Sequence, residues 1–199
     1  MTTRADVRTA VRLRLEDAGA APLWEDALLN EAIAEAIRRY GQIVPKEAAV
    51  SAVAVSGAVR VAFAAGVVDP ARIVRVRDPS GAVIGRWREE DRPEDRAQGW
   101  RWWSDGLDLA MPAAAGAWTV EHRAGRVPPG DDVAAADVLP GDEPGVILLA
   151  VAAALDRRAI EEGKRGATPM AASMAALAES ARREGERALR RRRARAPGG

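Results

Sequence analysis

The sequence predicts an α+β fold that is mainly α: a bundle of about four helices with a small antiparallel β region inserted and an extended loop behind it. Three observations lead there. Apolar residues recur at helical spacing near both ends of the chain, as in Leu29, Ile33, Ala36, Ile37 and Tyr40. Between Val53 and His122 the period falls to two, and Gly, Pro, Asp and Ser clusters interrupt it. From Arg123 to Leu139 there is no period at all, only Pro128, Pro129, Gly130 and scattered acids.

The chain has 199 residues, enough for one well-buried domain. Its predicted parts are a helical pair at 1–45, a strand-rich insertion at 48–123, an extended loop at 124–140, a second helical pair at 141–195 and a disordered tail at 196–199. Apolar residues make up 48% and charged residues 30%, a globular balance and not that of a disordered chain. With no cysteine, a disulfide framework, a thiol nucleophile and a Cys-based zinc site are all excluded. The N-terminus is interrupted by charge and lacks the apolar centre of a signal peptide. The longest apolar run, Val146 to Leu155, is ten residues, well short of the ~20 a bilayer demands.

Taken in order, Thr3 and Asp6 form a T-x-x-D start close to a capping box, followed by Val7, Val11, Leu15 and Ala18 at helical spacing. Gly19 and Pro22 are read as the end of that helix. The second helix opens at Trp24, Glu25 and Asp26, whose acids suit a helix N-terminus, and Gly41 and Pro45 are read as its stop. Val53 and Val55, a Ser56-Gly57 turn, and Val59, Val61 and Phe63 read as a hairpin. Ile73 to Arg77 and Val83 to Trp87 flank an Asp78-Pro79-Ser80-Gly81 turn. Glu89 to Arg96 reads as a polar loop. Trp100 to Trp103 and Leu107 to Met111 flank a Ser104-Asp105-Gly106 turn, and Ala117 to His122 is the last strand. Asp142 reads as an N-cap, with Pro144 in the first turn of a helix that is apolar nearly all round from Val146 to Ile160 and closes at Gly163. Thr168-Pro169 starts the final helix, where Met170, Met174, Leu177, Ala181, Gly185 and Ala188 share one side. That side is small after Leu177, which suits close approach of another backbone.

Residues with the means for chemistry are few. His122 is the only histidine, so a triad or a histidine metal cluster has no basis; it reads as a strand residue satisfied by a neighbour. The acids from Glu89 to Asp95 lack calcium-loop spacing, and Asp131 with Asp132 reads likewise as a solvated loop. No phosphate-binding glycine motif is present, and the only lysines are Lys46 and Lys164. Trp100, Trp102 and Trp103 offer a stacking platform for sugars or bases, but clustered Trp is more often core or interface. No catalytic residue, cofactor or metal is implied.

The charge is uneven. Eight Arg and two Glu from Arg182 to Gly199 give that segment +6, which leaves −5 on residues 1–181 of a chain whose net charge is +1. Arginines in this pattern suit carboxylates on a protein partner first, a solvated helix end second and nucleic-acid phosphates third. No recognition motif accompanies them to support base reading.

The order of parts resembles that of tailed-bacteriophage head-to-tail connector proteins, also called adaptor or head-completion proteins. The stretch LWEDALLNEAIAEAIRRY, with Trp24, Asp26 and Leu28 to Ala32, is similar to their second helix. ARIVRVRDPSGAVIGRW and GAWTVEHRAGRVP are similar to their strand insertion, and DVLPGDEPGVILLAVAAALDRRA to the helix that follows. The resemblance spans nearly the whole chain but rests on order and pattern. It implies a non-enzymatic virion protein of the neck, assembled in the host cytoplasm into a ring, usually of twelve. The ring binds the portal protein, presents a surface to a tail or stopper protein, and lets packaged DNA pass without sequence-specific binding. No membrane is involved. Met170, Met174, Leu177, Arg182, Arg183, Arg187, Arg190, Arg191, Arg192 and Arg193 are then the portal-binding candidates. Trp24, Leu29, Ile33, Ile37 and Tyr40 are the subunit-packing candidates. Deleting Arg182 to Gly199 is expected to leave a folded protein that no longer attaches to portal. The alternatives are a nucleic-acid-binding module that uses the arginine-rich helix and, last, an enzyme that acts on carbohydrate with two loop carboxylates.

Overall fold

A computed structural model of the chain describes residues 2–19, 21–66, 68–87 and 99–195. The fold is α+β and mainly α, with four α-helices and small antiparallel sheets among the described residues. The sequence suggests one domain, whereas the chain packs as two compact units. One is Met1–Pro45 with Gly125–Gly199, and the other is Lys46–Ala124. The polar loop read at Glu89 to Arg96 and the tail at 196–199 lie outside the described residues.

In the helical unit, α1 (Arg4–Arg14) begins with the capping box read from the sequence. Asp6 N–H donates to Thr3 Oγ1 at 3.2 Å, and Thr3 N–H to Asp6 Oδ2 at 2.8 Å. The Thr3 N–H, and then the Thr3 hydroxyl, which also donates to Asp6 Oδ2 at 2.8 Å, hold the Asp6 carboxyl below the usual carboxylate range. The helix stops earlier than Gly19, because Glu16 takes φ 56° and turns the chain away after Leu15. Ala18 therefore lies beyond it. The buried Asp17 carboxylate organises the loop that follows: it pairs with Arg12 at 2.5 Å and accepts the backbone N–H of Leu23 at 2.5 Å and of Trp24 at 3.2 Å.

Helix α2 (Asp26–Ile43) buries the predicted stripe Leu29, Ile33, Ala36, Ile37 and Tyr40. Gly41 does not stop it. A Cβ at this position would lie 2.7 Å from the backbone N of Arg126, so glycine is required in the last turn of the helix by the connector that crosses there. That connector is tied down along its length. Asp132 takes charged bonds from Arg8 and Arg4, at 2.8 Å in each ion pair, and these pull its pKa down to about 2. Arg126 bonds Val44 O at 3.0 Å and Asp137 at 2.8 Å.

Helix α3 (Glu143–Lys164) is the most buried, with Val146, Leu149 and a run from Ala150 to Ala154 inside, although Ile160 is exposed. It passes through Gly163 to end at Lys164, and the chain turns away at Gly166, which adopts φ 82°. Asp142 stands at its N-cap but makes no capping bond. Its carboxylate instead accepts the Tyr40 hydroxyl at 2.7 Å and pairs with Arg192 at 3.3 Å. No helix among the described residues is long and apolar enough to cross a membrane.

Helix α4 (Thr168–Arg195) lies along α3. The two cross where a Cβ on Gly185 would stand 2.9 Å from Gly145 O and one on Gly145 would stand 2.7 Å from Leu189 Cγ. The close backbone approach read from the small face is thus made by the chain's own α3. Gly185→Ala tests it. Helix propensity alone would favour alanine by about 1 kcal/mol, but the clash is with a carbonyl that no rotamer relieves. A net loss of about 1–2 kcal/mol is expected, read as a lower urea midpoint by far-ultraviolet circular dichroism.

The strand-rich unit holds two sheets, ordered β1-β7-β3-β4 and β2-β6-β5. Their strands are β1 (Lys46–Ala54), β2 (Arg60–Ala62), β3 (Ile73–Arg77), β4 (Val83–Ile84), β5 (Trp100–Trp103), β6 (Gly106–Leu109) and β7 (Gly116–Ala124). The expected β1–β2 hairpin does not form. β1 pairs over nine residues with β7, from Lys46 with Ala124 to Ala54 with Gly116, while β2 joins the other sheet. Nine matched ladder positions, with Trp118 and Val120 facing inward opposite Ala52 and Val50, outweigh what the three residues of β2 offer. The hairpins around Pro79 and Ser104 form as read, though β4 is only two residues long. The core of this unit includes Phe63, Val76, Trp100, Leu107, Trp118 and Val120.

Candidate docking surface

The candidate surface is built on α4. A helix of 28 residues held to α3 along one side presents whatever it carries on the other side rigidly. The held side is Ala178, Gly185 and Leu189, all buried, with Met174, Ala181 and Ala188 half-buried beside them. Met170 and Leu177, read as part of the same stripe, are 53% and 59% exposed and face away from the core. Leu189 was not among the candidates. It lies in the middle of the Arg187–Arg191 block, and its apolar signal is masked by the charges around it.

The arginines divide by role. Arg182 bonds Asp156 and also Glu179, the latter at 2.6 Å. Arg192 reaches Pro140 O and Asp142, and Arg193 donates to Ile43 O at 2.9 Å, satisfying a carbonyl at the end of α2. These three fasten α4 to the unit. Arg183 and Arg190 make helix-surface pairs with Glu179 at 2.6 Å and Glu186 at 3.2 Å, while both remain largely exposed. Arg183, and after it Arg182, keeps the Glu179 carboxyl below the usual range. Arg191 bonds only the Arg187 carbonyl, at 3.4 Å, and the Arg187 guanidinium makes no ion pair among the described residues. The outward cationic face is therefore Arg183, Arg187, Arg190 and Arg191.

This division corrects the deletion expectation. Removing Arg182 to Gly199 would take Gly185 and Leu189 out of the core along with the three fastening arginines, so the truncated chain would not keep this fold. The subunit-packing candidates also change meaning. Trp24, Leu29, Ile33, Ile37 and Tyr40 are all buried within the helical unit itself and leave no surface for a neighbouring subunit.

The remaining candidates are occupied or inert. Asp131 accepts the backbone N–H of Val133 and Ala134, and Asp132 is held by Arg4 and Arg8, so both carboxylates are committed to structure. Among the described residues no group of three or more His, Cys, Asp or Glu is placed to hold a metal ion. His122 is 6% exposed, and neither ring nitrogen has a hydrogen-bond partner among the described residues, so the satisfying neighbour expected for it is not found there. Trp100 is core, with its indole N–H on Ile84 O at 3.0 Å, and Trp102 packs on Phe63 with centroids 5.8 Å apart. Only Trp103 of the three is largely exposed, and the Arg101 guanidinium lies 5.5 Å from its ring, leaving no three-ring platform. No protein-family model matches the chain, and no curated protein is significantly similar to it.

Proposed function

We propose that the chain is a structural head-to-tail adaptor of a tailed bacteriophage. In this reading it forms an oligomeric ring that binds the portal protein and joins the DNA-filled capsid to a tail or stopper protein, and it catalyses no reaction. The observation that carries the reading is the outward face of α4. Arg183, Arg187, Arg190 and Arg191 project from a helix whose opposite side is locked into the core by Gly185 and Leu189. Guanidinium groups so held lose little further freedom on binding and match carboxylates two bonds at a time. The resemblance in order of parts supplies the partner.

The test reverses that face without touching the core. The fourfold replacement Arg183→Glu, Arg187→Glu, Arg190→Glu and Arg191→Glu breaks two helix-surface pairs, to Glu179 and Glu186, and Glu186 keeps its partner Arg39. The protein is expected to stay folded and to lose at least about nine-tenths of its capture by purified portal oligomers at physiological salt. Undiminished capture would overturn the assignment of the docking face.

The second reading, a nucleic-acid-binding module, draws on the i, i+4 spacing of Arg187 and Arg191 and their lack of acidic partners among the described residues. It expects duplex affinity that falls steeply with salt in the wild-type chain alone.

A further inference from the structure

The helical unit has a second cationic feature, which shares only Arg190 with the outward face of α4. Two adjoining clefts run along the exposed side of α2 and share Arg39 and Gln42. One, of about 540 Å³, lies between the C-terminal ends of α2 and α4; the other, of about 420 Å³, continues it toward α3. Five arginines rim them, Arg38, Arg39, Arg182, Arg190 and Arg193, against one acid, Glu35. The floor is apolar, with Ala36, Ile43, Leu149 and Ala153. Arg38 is exposed and makes no ion pair among the described residues, and Arg39 and Arg190 share the single carboxylate of Glu186. The rim thus holds more positive charge than the chain neutralises.

We propose that this cleft receives an acidic amphipathic segment of a partner protein. Apolar side chains would lie on the floor, and carboxylates would meet Arg38, Arg39 and Arg190. From Glu35 to Ile43 the α2 wall is about 12 Å long at 1.5 Å per residue, room for about two helical turns of peptide. A duplex would engage the rim and leave the apolar floor empty, so the charge pattern together with the floor favours peptide over nucleic acid. The chemistry of the cleft stands without the adaptor reading; that reading enters only in assigning the segment to the portal protein.

The probe is a fluorescent twelve-residue peptide with leucine at i, i+4 spacing and glutamate elsewhere, titrated into the full chain by anisotropy. A copy with glutamine in place of glutamate and a short DNA duplex serve as controls. Two variants are used. Arg38→Glu changes an exposed residue with no structural partner. Gln42→Trp fills the junction of the two clefts and keeps every charge. The glutamate peptide is expected to bind the wild-type chain and to lose about tenfold or more in affinity to each variant, with the glutamine copy binding weakly throughout. Peptide affinity unchanged in both variants would overturn the proposal. So would no peptide binding to the wild type, or duplex binding that alone responds to Arg38→Glu. Self-association lost in Gln42→Trp, with no peptide binding, would assign the cleft to a second copy and overturn it too. Portal capture by the wild type in any of these cases would leave the adaptor reading standing while the cleft falls.

Discussion

Replacing Leu189 by alanine will destabilise the helical unit by about 2–5 kcal/mol, the range for truncating a buried leucine in a core that collapses only partly. Leu189 is 2% exposed and sits in the main core cluster. Its neighbour across the helix pair is Gly145, where a Cβ would stand 2.7 Å from Leu189 Cγ. Because Gly145 has no side chain to move into the gap, the cavity stays open and the cost falls toward the upper half of that range. Differential scanning calorimetry of the full chain measures it. An unchanged transition would mean that the arginine-rich end of α4 is not part of the fold. Arg187→Ala and Arg191→Ala, two residues to either side, are expected to shift stability by less than about 0.5 kcal/mol, as exposed positions do.

Tyr40→Phe is expected to cost about 1–3 kcal/mol at neutral pH, through loss of a buried hydroxyl that serves two partners. The hydroxyl donates to Asp142 at 2.7 Å and accepts Leu139 N–H at 3.2 Å, and the Arg126 guanidinium lies 5.0 Å from the ring centroid. Phenylalanine leaves the carboxylate and the amide without that partner. The wild type also carries a pH signature. Burial, and then the bond to Asp142, push the Tyr40 phenol up to about 12 from an ordinary value of 10. A raised folded pKa means that the folded state keeps its proton longer than the unfolded chain. The contribution is therefore whole below pH 10 and lost as pH rises from 10 through about 12. Urea midpoints across that window should fall in the wild type and fall less in the Tyr40→Phe protein. Parallel slopes would remove the phenol from this account.

How much the sequence disclosed depended on whether the signal was local. The Thr3–Asp6 capping box, the α2 stripe and the Ser104 hairpin are each decided by neighbours within a few residues, and each stands where it was read. Where a partner is remote, the local reading misled. Val53 and Val59 flank a good turn, yet β1 takes β7, more than sixty positions away, because the longer ladder wins. Gly41 and Gly163 look like helix stops. Gly41 answers to the backbone of Arg126, and α3 runs one residue past Gly163 to Lys164, with the positive φ at Gly166 beyond it. The candidate surface shows the same limit. Composition alone found the arginines. Which of them face out could not be read, because small residues on α4 left its apolar side weakly marked. Met170 and Leu177 drew the stripe about a quarter-turn away from Ala178, Gly185 and Leu189. The α2 cleft was not visible in the sequence either, since Arg39 and Arg193 come to line one cleft only once both ends of the chain have met.

The helical unit is drawn from both ends of the chain, with the whole strand-rich unit lying between its two segments. On the ribosome, α1 and α2 emerge first and must wait for α3, which begins a hundred positions after α2 ends. At roughly 5–20 residues per second that delay is on the order of 5–20 s, during which the apolar side of α2 has no lid. The strands are continuous in the nascent polypeptide and free to condense meanwhile. Premature release of incomplete chains would leave that sticky first segment uncovered, a hazard for chaperones to manage.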